Sequence, residues 1–137
     1  MSTRSTVHFK TNGITEAIVY RHSDGFPETA GVDVLKFLQK IDKNILDKRF
    51  DDPNYLAARF VVFLAQQFNK HYDFNTRKSV KNKSPLDFIS VGVVMEDPSD
   101  IEYRYEVNCD NNLIPEVKCF DINLNNYVKI PSKGVLV

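Results

Sequence analysis

The chain has 137 residues, of which 42% are hydrophobic and 26% charged, a balance expected of one ordinary soluble domain rather than of a fibrous, disordered or membrane protein. Eighteen Lys+Arg against eighteen Asp+Glu give a formal charge of zero, which argues against a protein coated in positive charge to grip long nucleic acid. The longest apolar run, Phe60 to Ala65, is far too short to span a membrane, and Met1 to Lys10 carries no apolar stretch of the kind a signal peptide needs. Two cysteines, Cys109 and Cys119, are too few for a disulfide scaffold; they read as free thiols, and the expected location is the cytoplasm.

The first elements are two short β-rich runs, Thr6 to Thr11 and Ile14 to Arg21, on either side of Asn12-Gly13. That dipeptide supplies the two positive φ angles of a type I′ hairpin turn. A two-residue loop places Val7 opposite Ile18 and Ser5 opposite Tyr20, so Val7, Phe9, Ile18 and Tyr20 are expected to share the core face. The other face then takes His8, Ala17, Val19 and Arg21. A turn-rich segment, Arg21 to Gly31, leads into a helix from Val32 to about Lys48, striped by Val34, Leu38, Ile41 and Ile45. Asp52-Pro53 reads as an N-cap followed by proline at the first helical position and opens a second helix to about Tyr72. The middle of that helix, Tyr55 to Ala65, is apolar on every side around its one charge, Arg59, so the helix is expected to lie centrally against the sheet, with a structural ion pair for Arg59.

Asp73 to Pro85 has no apolar period and reads as a long loop. Beyond it the pattern predicts a strand from Leu86 to Met95, a turn at Glu96 to Ser99, and a strand from Ile101 to Asn108. In the latter, Ile101, Tyr103, Tyr105 and Val107 alternate with Glu102, Arg104 and Glu106. Two further strands are expected at Leu113–Ile122 and around Tyr127–Ile130. The resulting order, ββααββββ over a single domain 1–137, is an α+β fold: an N-terminal β-hairpin, two central helices, then four antiparallel strands, with the helices packed on one sheet.

The segment Tyr20-Arg21-His22-Ser23-Asp24-Gly25-Phe26-Pro27-Glu28 resembles a Tyr-Arg-His-x-Asp-Gly-aromatic-Pro element that follows an N-terminal hairpin in a group of short bacterial, archaeal and phage proteins. The run Ile101-Glu102-Tyr103-Arg104-Tyr105-Glu106-Val107 is similar to the strand those proteins carry after their helices. The resemblance implies a compact domain of the kind often encoded by phages and other mobile elements, where counteracting a host defence is a fitting role. It supplies no catalytic residue and no established activity.

Read physically, the same segment sets an imidazole beside two carboxylates, His22, Asp24 and Glu28, types that act as acid, base or metal ligand. Its plainer reading is structural: Asp24-Gly25 is turn chemistry with positive φ expected at Gly25, Pro27 stiffens the chain, and Phe26 is expected to plug into the core. Arg21 and Arg104 are candidates for one polar sheet surface where two guanidiniums would suit a phosphate or carboxylate; the competing reading pairs them with Glu16, Glu102 or Glu106. Lys70, Arg77, Lys78, Lys81 and Lys83, with His71, Tyr72 and Phe74 nearby, form a basic stretch suited to anion or nucleic-acid contact.

Phosphate-cradling, dinucleotide, nucleophile-elbow, Cys-x-x-Cys and His-Glu-x-x-His signatures do not occur. The function expected first is therefore that of a small non-enzymatic binding protein, with a protein partner or a small anionic, nucleotide-like ligand and no cofactor or metal assigned. The second is a metal-assisted phosphodiester hydrolase using His22, Asp24 and Glu28, and the third a nucleic-acid binder working through the basic stretch 70–83.

Overall fold

The computed structural model describes residues 2–75 and 84–131. Strands β1 (Ser5–Thr11) and β2 (Ile14–Arg21) meet at Asn12 and Gly13, both with positive φ, 52° and 79°, as the turn type requires. Next to the turn, Thr11 faces Ile14, but between Lys10 and Phe9 the register shifts, leaving Glu16 as the extra residue of a β-bulge. Val7 consequently faces Val19 and Ser5 faces Arg21. This corrects the expected core face: Ala17 and Val19 join Val7 and Phe9 on the helix side, while Ile18 and Tyr20 turn to the opposite side with Thr6 and His8. One inserted residue exchanges the two faces of β2, because side chains alternate with period two.

A five-residue π-type turn, Pro27–Gly31, runs directly into α1 (Val32–Asn44), which buries Val34, Phe37, Leu38 and Ile41. The helix stops at Asn44 rather than Lys48 because Ile45 is extended, its N–H still capping the Ile41 carbonyl. α2 (Pro53–Asn75) begins where the Asp-Pro pair places it, with Asp52 Oδ1 accepting from the Tyr55 N–H. Leu56, Phe60, Phe63 and Leu64 form its buried face, whereas Tyr55 and Val62 are 48% and 57% exposed. The helix is thus central but not apolar all round. Arg59 has no carboxylate partner among the described residues; its Nη1 donates instead to the Asp47 and Lys48 carbonyls of the α1–α2 link at 3.1 and 3.0 Å.

The segment expected as a strand from Leu86 divides into a single helical turn, α3 (Pro85–Phe88), capped by the Ser84 hydroxyl, and a four-residue strand, β3 (Val91–Val94). β4 (Tyr103–Asn108), β5 (Val117–Asp121) and β6 (Asn126–Val128) complete the α+β fold, the last two shorter than their apolar runs suggest. The six strands form one sheet in the order β3-β2-β1-β4-β5-β6, with the helices against one face. Neighbours are antiparallel except β1 and β4, which run parallel, Ser5 beside Tyr103 through Lys10 beside Asn108. β3 and β4 therefore do not form a hairpin; the chain 95–102 crosses between them over the β1–β2 pair.

Tyr105, Val107 and Cys119 join Val7, Phe9 and Val19 beneath the helices in the main core. Cys109 and Cys119 are free and buried, and burial pushes their thiols up to about 12 and about 11. Among the described residues no helix is long and apolar enough to cross a membrane.

Candidate functional site

The segment Arg21 to Glu28 proves to be a brace rather than a cluster. Arg21, on the helix side of β2, donates from Nη1 to Asp33 Oδ2 of α1 at 2.8 Å and from Nε to the Ser23 carbonyl. His22 continues the β2–β3 ladder through its N–H to the Ser90 carbonyl, and its exposed ring meets the Tyr20 hydroxyl at 2.9 Å. Asp24, not Gly25, takes the positive φ, 56°. Gly25 is needed for another reason: a Cβ there would lie 2.8 Å from the Thr3 carbonyl oxygen and 2.9 Å from Ser5 Cβ. Phe26, expected as a core plug, is 47% exposed and rests beside the Tyr103 ring. Glu28 is exposed in the π-type turn. Among the described residues no group of three His, Cys, Asp or Glu side chains is placed to hold a metal ion.

Arg104 and Arg21 lie on opposite faces of the sheet, which corrects the shared surface expected for them. Arg104 belongs to the face without helices, where two carboxylates, the half-buried Asp97 and the buried Glu106, organise the polar side chains. Asp97, on the crossover 95–102, accepts at Oδ1 from the Thr6 hydroxyl and from His8 Nε2–H, both at 2.7 Å, while the Thr15 hydroxyl stands 2.9 Å from His8 Nδ1. Glu106 receives Arg104 Nε at 3.1 Å, the Tyr127 hydroxyl at 3.2 Å and the Lys10 ammonium at 3.6 Å. Burial opposes ionisation at both carboxyls, but these hydrogen bonds and cations outweigh it. Asp97 and Glu106 are held below their ordinary values of 3.8 and 4.5. Ile18, on the same face, and Ile101, within the crossover, are buried outside the main core.

A carboxyl whose pKa is lower in the folded than in the unfolded chain contributes stability that is present above the unfolded value and lost as pH falls through the folded one. Thermal melts between neutral pH and about pH 3 are therefore expected to show a steep acid limb below about pH 4.5. Asp97→Asn and Glu106→Gln should each flatten it. An acid limb unchanged in both variants would mean that neither carboxylate is favoured by its folded surroundings.

The third feature is a notch in the sheet edge. β6 pairs with β5 only from Cys119 to Asp121, so the outer side of Val117 and Lys118 is left open where the chain turns away after Val128. The groove that results, about 540 Å³, has an apolar floor of Leu35, Val117, Val128 and Ile130 together with Cys119, and Lys118, Tyr127 and Lys129 line it as well. Lys118 reaches Glu116 at 3.6 Å, but both side chains are more than half exposed, so the pair is weak. Among the described residues no carboxylate lines the groove. Strand alternation puts Lys118 and Tyr127 on the open face beside Phe120 and Arg104, whose guanidinium lies 4.7 Å from the Phe120 ring centroid.

Of the basic stretch, Lys70 falls within α2, which runs on through residues expected to be loop; Arg77, Lys78, Lys81 and Lys83 lie outside the described residues. Sequence reasoning missed Asp97, Lys118, Tyr127 and Lys129. The one available signal was the alternation of charge and aromatic side chains in Lys118-Cys119-Phe120 and Tyr127-Val128-Lys129. No protein-family model matches the chain, and neither a curated protein nor a solved structure does.

Proposed function

We propose that this is a small non-enzymatic binding protein whose ligand is an organic anion with an apolar or planar body, taken up in the notch between β5 and β6. The observation that carries the reading is the charge of that groove: two lysines and a tyrosine beside an aliphatic floor, with no carboxylate among the described lining residues. Apolar surface with a few converging polar groups is the usual make-up of a small-molecule site. A phosphate or carboxylate reaching over the strand edge would be met by the Lys118 and Lys129 ammonium groups, with the half-exposed Tyr127 ring, its centroid 5.9 Å from Lys118 Nζ, flanking it on the open face. Arg104, a neighbour on the same face, is occupied by Glu106 and Phe120, so its part is to hold the rim rather than to grip the anion.

The test is a titration followed by backbone amide NMR, with nucleoside monophosphates, aromatic carboxylates and aliphatic carboxylates as probes. Saturable shifts are expected at residues 117–119 and 127–130. Reversing both lysines, in the double variant Lys118→Glu with Lys129→Glu, should weaken binding about tenfold for each ammonium group removed from the anion, some 1.4 kcal/mol apiece. Shifts confined to other surfaces, or affinity indifferent to the double reversal, would remove the notch from consideration.

A further inference from the structure

Strand β3 forms an edge of the sheet, and its outer side is unpaired among the described residues. Edge strands of this kind are commonly blunted by charge, proline or a bulge. Val91-Gly92-Val93-Val94 has none of the three, and apolar side chains beside it are open to solvent: Val93 is 78% exposed, Met95 97% and Leu86 96%. The direction of the free backbone groups follows from the ladder. The His22 N–H bonds to the Ser90 carbonyl, so residues 90, 92 and 94 occupy the hydrogen-bonded pairs with β2. The N–H and C=O groups of Val91 and Val93 point outward.

We infer that this edge is a dimer interface, on which a second copy of the chain pairs its own β3 antiparallel about a two-fold axis at Gly92. The outward groups at Val91 and Val93 sit symmetrically about that glycine. Val91 of each copy then faces Val93 of the other, and the two exchange four backbone hydrogen bonds. The Gly92 residues face each other in the close, non-hydrogen-bonded type of pair, about 4.5 Å between Cα atoms. The exposed Val93 is covered by the other copy's Val91, and Met95 comes beside the other copy's Ile89. Self-pairing suits this edge because its two outward-facing residues, Val91 and Val93, are complementary to each other about Gly92, and Val91–Val94 holds no charge to repel its copy. The two sheets would become one continuous sheet of twelve strands. The notch between β5 and β6 lies at the opposite edge, so the inference is independent of the ligand reading.

Gly92 also supplies the test. A Cβ built there meets nothing within 4 Å, and its φ is not in the left-handed region, so a side chain is compatible with the folded monomer. Sedimentation velocity on the full chain, from micromolar to millimolar concentration, should show a reversible monomer–dimer equilibrium. Gly92→Lys and Gly92→Glu, each placing two like charges across the axis, should be monomeric throughout, with melting temperatures at dilute concentration like that of the parent. An equal mixture of the two variants should recover the dimer, since opposite charges then meet at Gly92. A parent chain monomeric at millimolar concentration overturns the inference. So does a dimer that persists in both variants, or a mixture that fails to restore it.

Discussion

Phe60→Ala is expected to destabilise the domain by about 3–5 kcal/mol, which for a chain of this size is enough to leave a large fraction unfolded. Phe60 is fully buried at the meeting point of three elements, its ring centroid 6.0 Å from Phe9 of β1, 5.2 Å from Phe37 of α1 and 6.5 Å from Phe63 of α2. Removing the ring opens a cavity bordered by two further aromatic rings, Phe9 and Phe37, on separate elements, and rigid rings on different elements cannot collapse into it without moving α1 or α2 off the sheet. The check is the shift of the urea midpoint at unchanged slope. A loss smaller than about 1 kcal/mol would show that the helices repack around the site.

The second large effect is expected at Gly25, where Gly25→Val should cost about 3 kcal/mol, the upper end of what overpacking produces. The missing side chain is replaced there by backbone: the Thr3 carbonyl oxygen, which accepts from the Gly25 N–H at 3.0 Å, would stand 2.8 Å from the new Cβ. On its other side the Gly25 carbonyl accepts from the buried Tyr105 hydroxyl at 2.6 Å, a phenol that burial raises far above its ordinary pKa and so keeps as a donor. Gly25 therefore cannot retreat from Thr3 without disturbing a buried bond. His22→Ala, three residues earlier, removes only an exposed contact with the Tyr20 hydroxyl and should change stability by less than about 0.5 kcal/mol. Melting both variants side by side separates the two roles. Equal losses would mean that the turn acts as one cooperative unit, with the His22 ring part of it.

The contrast between these residues shows what could be read from the sequence. The hairpin turn, the start of α2 and the alternation of β4 were legible because each depends on local chemistry: Asn-Gly for positive φ, Asp-Pro for a helix start, period two for a half-buried strand. The bulge at Glu16 was not, since no residue type demands it, and it alone moved Val19 inward and Ile18 outward. The pairing of Arg104 with Glu106 was legible too, whereas Arg21 pairs with Asp33 of α1 rather than with a strand glutamate, and the faces the two arginines occupy depend on that bulge and on the parallel β1–β4 register. Asp97 carried no signal at all. It looked like an ordinary turn residue before proline, and its role follows from a crossover that brings it to Thr6 and His8, about ninety positions away. The groove was hidden for a similar reason, because it exists only where β6 stops short of β5.

The parallel pairing of β1 with β4 also governs how the chain reaches this state. β1 lies in the middle of the sheet, yet Ser5 has to wait for Tyr103. Synthesised at about 5–20 residues per second, the chain leaves the outer edge of β1 without its partner for roughly 5–20 s after the hairpin has formed. Through that interval Val7 and Phe9 can gather α1 and α2 but cannot close the sheet. Non-local pairing of this kind makes folding slow relative to that of helical domains of similar size. The nascent hairpin is thus the form of the protein most open to capture by a chaperone or by another unfinished copy.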